Sequence, residues 1–176
     1  MSAFYNWNWK RLELSWGDNV ADFLIEKARL DMAFKRRVKP KEVFMGRLTY
    51  GGDLLEEISN MCLKENIQLG WFEALGAVKK ARLAFYNHET HEYEFFVIDQ
   101  PLEITKLAGD VSLKDGHPFI HAHITLSDKA GKAYGGHLAP GTVIFACEFK
   151  LEVFDGPGIK REFDEATGLP LWKISE

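Results

Sequence analysis

One short stretch limits what this chain can fold into more than any other: "FIHAHITL", residues 119–126, in which apolar and polar side chains alternate from Ile120 onward. A period of two is the signature of a strand. Ile120, Ala122, Ile124 and Leu126 share one face, apolar enough to meet a core, and Phe119, His121, His123 and Thr125 share the other. Both imidazoles therefore leave the sheet on the same side, about 6–7 Å apart by strand rise. The chain then turns through "DKAGK", residues 128–132. A three-residue hairpin loop centred on Ala130, with Gly131 in the left-handed position, pairs His123 with His137 and sends all three imidazoles to one patch. A two-residue turn would shift the register by one and send His137 to the opposite face.

Four of the six histidines lie between residues 117 and 138. Three converging imidazoles with no cysteine nearby match a catalytic zinc site, with three protein nitrogens and an open fourth position for water. Such an ion would activate water or polarise a carbonyl. Iron, manganese or nickel accept the same ligands, and spacing does not choose among the divalent transition metals. The competing reading is an H-x-H pair that is merely solvated. Gly135 and Gly136 would leave room for a ligand close to the backbone. His117 reads as a loop residue before Pro118, and His88 and His91 flank a hairpin turn at the surface. Glu103 in "PLEITKL" and Glu148 in "FACEFKL" are the strand carboxylates within possible reach of the site, Glu103 being the candidate catalytic group. For each, exposed surface charge is the default. The sequence contains no G-x-S-x-G, P-loop or G-x-G-x-x-G motif.

The rest of the chain supplies a setting for that hairpin. "DLLEEISNMCLKEN" is the clearest helix. Asp53 is its cap, Glu56 completes a D-x-x-E variant of the capping box, and Leu54, Leu55, Ile58, Met61 and Cys62 form one face. "VFMGRLTYGGD", "IQLGWFEALGAV", "ARLAFYN", "YEFFVID", "LEITKLAGDVS" and "GTVIFACEFKLEVF" read as strands separated by turn signals at hairpin spacing. The pattern predicts an α+β fold, mostly antiparallel sheet with one main helix, spanning residues 41–176 with a C-terminal tail. Residues 1–40 form a separate N-terminal extension. It carries Trp7, Trp9 and Trp16 and a helix from Asp18 or Asn19 to about Arg37, stopped by Pro40.

Charge narrows the partners. Residues 1–40 hold eight Lys/Arg against five Asp/Glu, and the remainder 14 against 21. An acidic body is a poor general binder of nucleic acid, and only "FKRRVKPK", Phe34–Lys41, offers a basic cluster. Its plainer reading is the solvated end of a helix. No apolar run approaches the roughly 18 residues of a membrane span, and "MSAFYNWNWKRLELSWGD" does not read as a signal peptide. Cys62 and Cys147 are far apart and outside any C-x-x-C pair. They read as buried free thiols of a cytoplasmic protein.

From about Val43 to Phe154 the chain resembles the PPC (plants and prokaryotes conserved) domain family, of the single-domain prokaryotic type. The matching blocks are "GGDLLEEI", "GWFEALGAVKKARLAFYN", "LEITKLAGDVS", "HAHITLSDKAGKAYGGHL" and "VIFACEFKL". The resemblance implies a compact α+β domain that assembles as a homotrimer. Plant members join this domain to an R-G-R-P AT-hook, which is absent here, and the DNA-binding label of prokaryotic members follows from that association. Plant members keep the Gly-Gly but lack the histidines, whereas bacterial and archaeal members carry H-x-H followed by G-G-H. The fold is also similar to that of acetolactate decarboxylase, a zinc enzyme with an H-x-H pair and a later histidine. By motif, His121, His123 and His137 fall on those ligand roles, but the enzyme's other catalytic residues have no match.

Three readings follow. The first is a homotrimer binding zinc or a related metal, with hydrolase or lyase chemistry on a small carbonyl compound as the activity it would serve. The second is a DNA-associated protein using "FKRRVKPK". The third is a passive oligomerisation module whose Trp-rich arm docks a partner.

Overall fold

The computed structural model describes residues 35–173. Its strands are β1 (Pro40–Arg47), β2 (Gly70–Asn87), β3 (Glu92–Ile98), β4 (Leu102–Lys114), β5 (His117–Ser127), β6 (Ala133–Leu138), β7 (Val143–Phe154), β8 (Arg161–Asp164) and β9 (Leu169–Trp172), with one helix, α1 (Leu54–Lys64), after β1. The fold is therefore mostly antiparallel sheet with a single short helix, as the alternation predicted. The expected N-terminal helix and Trp7, Trp9 and Trp16 lie outside the described residues, except that Lys35–Arg37 carry no helix.

The main sheet runs β1-β7-β2-β4-β5-β6, with β3 added to the far half of β2. The sequence suggested two strands between Ile67 and Asn87, and the chain makes one. Its register shifts on both sides near Gly76 and Val78, so β2 bends and serves different partners with its two halves. The near half pairs with β4 and β7, and the far half pairs with β3 and also meets β6 through Leu83↔Leu138 and Ala84↔His137. That last contact closes β2, β4, β5 and β6 into a ring.

Inside the ring lies the core. Ile120, Ala122, Ile124 and Leu126 are all buried, with Phe72, Leu83, Leu107, Leu138 and Leu151 around them. Helix α1 adds Leu54, Ile58 and Cys62 to the same cluster, with Leu55 and Met61 at its margin. Each such side chain contributes about 1.5–3 kcal/mol by leaving water. Asp53 caps the helix by accepting from the backbone N–H groups of Leu55 and Glu56. The box partner differs from expectation. Glu57 reaches back to the N–H of Thr49, so the carboxylate ties the preceding turn rather than the cap itself. Cys62 and Cys147 are free and buried, and burial pushes their thiols up to about 12 and about 11, the latter with help from Glu148.

Candidate metal centre

The loop between β5 and β6 has the length that decides the site. Asp128 and Lys132 close it, the N–H of Asp128 donating to the carbonyl of Lys132, and Gly131 takes φ +77°. Asp128 also accepts from the N–H groups of Ala130 and Lys132. Three residues thus separate the strand ends, and His123 stands opposite His137. The one-residue slip that would have turned His137 inward does not occur.

Two rows of side chains cross the outer face of the sheet. One runs Val43, Glu152, Trp71, Asp110, His121, and the other runs Met45, Lys150, Glu73, Ala108, His123, His137. Where the rows end, the three imidazoles form a nearly equilateral triangle. Their ring centroids are 5.3 Å apart for His121–His123, 5.3 Å for His121–His137 and 5.4 Å for His123–His137. One nitrogen from each lies within 4.8 Å of the others, so the group could hold a metal ion. Nitrogens sharing one tetrahedral ion stand roughly 3.4 Å apart, so the triangle has the right shape and is somewhat open.

The electrostatics suit a neutral donor set. Burial, then the neighbouring His121 and His123, and then Arg161 hold His137 down to about 4. Burial and His121 also lower His123. The Nδ1 of His137 is buried and has no hydrogen-bond partner. Such an atom costs about 1–3 kcal/mol unless something supplies a bond, and a shared metal ion would supply it. On the far side, Tyr93 of β3 lays its ring 4.9 Å from that of His137, and Tyr86 and Phe95 extend this aromatic wall.

His121 has a carboxylate behind it. Its Nδ1 stands 3.4 Å from Asp110 Oδ2. Burial would raise the Asp110 carboxyl, but the His121 hydrogen bond and the Arg161 charge outweigh it, and the group lies below its usual range. A carboxylate on the outer nitrogen of a metal-binding histidine fixes its tautomer and ring angle.

Asp110, Arg161, Tyr93 and Trp172 were not among the residues singled out from the sequence. Asp110 had a findable signal. Asp115 and Gly116 form a two-residue turn with φ of 52° and 81°, the type that Asp-Gly dictates, and its register places Asp110 opposite His121. The other expectations resolve as follows. Glu103 pairs with Ser127, four residues beyond His123 along the ladder, so it is not brought to the cluster. Glu148 shares the outer face with Arg47 and Leu75, three strands from His123 in the sheet order. His117, His88 and His91 are exposed. Gly136 serves packing rather than a ligand, since a Cβ there would come within 3.0 Å of the Ala84 carbonyl and 3.4 Å of Leu83.

Comparison with known proteins bears on this site. The family model described as the Plants and Prokaryotes Conserved (PCC) domain matches residues 35–155. A metal-containing protein from Archaeoglobus fulgidus, AF0104, is 37% identical, over 81% of this chain and 100% of that one, at a TM-score of 0.77. A plant- and prokaryote-conserved protein from Pyrococcus horikoshii is 31% identical, over 82% and 99%, at a TM-score of 0.76. A Bacteroides thetaiotaomicron protein provisionally assigned as DNA binding shares the fold, at 23% identity over 77% of this chain and 96% of that one, with a TM-score of 0.71. Acetolactate decarboxylase from Bacillus subtilis, at 14% identity over 68% of this chain and 55% of that one and a TM-score of 0.45, is too distant to bring its chemistry across. Among curated proteins, the bifunctional protein GlmU of a Synechococcus strain is 30% identical over 130 residues, 72% of this chain and 19% of that protein. The chain thus spans about a fifth of the length of the curated relatives it matches.

Proposed function

Because the chain belongs to the Plants and Prokaryotes Conserved domain family, we propose that it is a homotrimer in which each chain holds one divalent transition metal on His121, His123 and His137. The observation that carries this reading is the unpartnered, buried Nδ1 of His137, whose ring forms one corner of a triangle of imidazoles. Metal ligands must be neutral to bind, and the depressed pKa values of His123 and His137 meet that demand. The metal content of AF0104 adds support from a relative matched over its whole length. Three imidazole nitrogens suit zinc among the divalent transition metals and leave a position for substrate.

A metal ion there would supply Lewis acidity toward a small carbonyl compound, which makes hydrolysis or a lyase reaction the fitting class. The chain's own residues do the rest. Asp110 accepts the Nδ1–H of His121 and holds the ring. Ala108, small and half-buried, stands between His123 and Glu73, whose ion pair with Lys106 borders the cluster on that side. Tyr93 walls off solvent beside His137. The trimer is supported by the outer strand β3, which among the described residues leaves Phe95 52% exposed and Val97 59% exposed on one face. Single chains rarely leave such an apolar edge open.

The test is metal content, by plasma mass spectrometry, of untagged protein purified without chelator, with mass read by light scattering. Near one metal per chain in a trimer, lost in a folded His121→Ala/His123→Ala variant, is expected. Protein that carries no metal and takes up no added zinc would overturn the reading.

One observation favours a second reading. Lys35, Arg37, Lys39 and Lys41 are all exposed, and three copies of this run would give a trimer a basic rim for DNA. Binding should then weaken steeply with salt. Affinity that is flat between 50 and about 200 mM salt would sink it.

A further inference from the structure

The family match ends at residue 155, but the chain goes on to fold β8 and β9 back onto the histidine face. The β8–β9 hairpin is joined to β4 through backbone contact at Leu113, whose N–H donates to the Ile159 carbonyl. From its first residue comes Arg161, whose side chain is only 6% exposed. All three of its nitrogens are engaged. Nε donates to Ser112 Oγ at 2.7 Å, Nη1 to the Pro170 carbonyl at 2.9 Å, and Nη2 to both oxygens of Asp110 at 2.9 Å. From the last residue comes Trp172, whose Nε1 donates to Asp110 Oδ1 at 3.3 Å. Outside the hairpin, the Asp110 side chain has His121 Nδ1 at 3.4 Å and Ser112 of its own strand.

This arrangement has a direction. A guanidinium donating to both oxygens fixes the plane of the Asp110 carboxylate. A carboxylate so held only accepts hydrogen bonds, so His121 must present Nδ1–H to it and keep Nε2 as its lone pair. Without the hairpin, Asp110 would keep only His121 and Ser112 beside it and would be free to swing away from the ring.

We propose that Arg161 is a positioning residue for the histidine cluster: by holding Asp110 it sets the ring and tautomer of His121, and so makes metal capture depend on the C-terminal hairpin. This rests on the metal-binding reading above. The competing role for Arg161 is a staple that merely fastens the hairpin.

Two measurements on the full chain separate them: zinc affinity by competition with a chelating dye, and the imidazole tautomer of His121 by long-range nitrogen–proton NMR on metal-free protein. The variants are Arg161→Lys and Asp110→Asn, with Lys173→Ala as the control that loosens the hairpin at its Glu162 pair without touching Asp110. Circular dichroism reports folding for each. In Arg161→Lys and Asp110→Asn, zinc affinity should fall by about 10- to 100-fold and the His121 signal should move from one tautomer to a mixture. Lys173→Ala should stay within about threefold of the parent, well short of that loss. Folded Arg161→Lys and Asp110→Asn variants with parental affinity and an unchanged His121 tautomer would overturn the proposal while leaving the metal reading intact. A parent chain that shows the Nδ1–H tautomer but takes up no zinc would overturn the metal reading, and with it the hairpin's control of capture.

Discussion

The three histidines on β5 and β6 and the two at the tip of the β2–β3 hairpin place the same side chain in two settings. His88 and His91 are exposed and touch aromatic rings, with His88 6.3 Å from Phe85 and His91 6.3 Å from Tyr86. Nothing brings the two to a common point with a third donor. His121, His123 and His137 sit instead on paired strands, where pleat and register aim successive side chains at one spot and a buried carboxylate stands behind the first of them. The difference shows that local density of imidazole does not make a candidate metal centre. What counts is strand geometry that fixes direction, and, at His137, burial that keeps the ring neutral.

The comparison can be broken most decisively by swapping losses. His88→Ala/His91→Ala should retain metal and lose little stability. Chelator treatment of that variant should lower the melting temperature as much as it does for the parent. For a ligand held at 100 times its Kd, removal costs about 2.7 kcal/mol, or roughly 5–11 °C in a chain of this size. Equal metal loss from the two histidine groups would erase the distinction. A smaller effect concerns protons. In metal-free protein His137 is held at about 4 against an ordinary value of 6.5. Between those pH values the unfolded chain binds a proton that the native one refuses, so stability falls as pH drops through that window, by up to about 3 kcal/mol. His137→Phe should flatten the slope, and urea titrations at pH 7 and 4.5 would read it. The smallest effect tests whether sulfur competes for the ion. Cys62 and Cys147, buried and with raised thiol pKa values, should gain no adduct from iodoacetamide under native conditions at pH 8. An adduct that displaces metal would redraw the ligand set.

Much of this was legible in local sequence because local rules govern it. Alternation in "FIHAHITL" fixes which face each residue takes, the length of "DKAGK" fixes the pairing of His123 with His137, and Asp53 before an apolar helical face fixes the start of α1. The supporting groups were hidden for a different reason. Asp110 meets His121 through the register of a second hairpin, and Arg161 and Trp172 arrive from a segment that reads as a tail. No periodicity announces a short strand pair such as β8–β9, whose place is determined by contacts with β4. The bend in β2 was missed similarly, because a bulge depends on what the neighbouring strands require.

The loop at Lys129–Gly131 also has a hereditary consequence. Deleting one in-frame codon there would leave both strands spelled as before, and unless the loop then closed on two residues it would offer Leu138 where His137 now stands. Lys129 and Ala130 face solvent, so their identities can drift with little penalty, whereas a change in their number demands a different turn. Selection on this stretch of the gene should therefore act on length more than on letters.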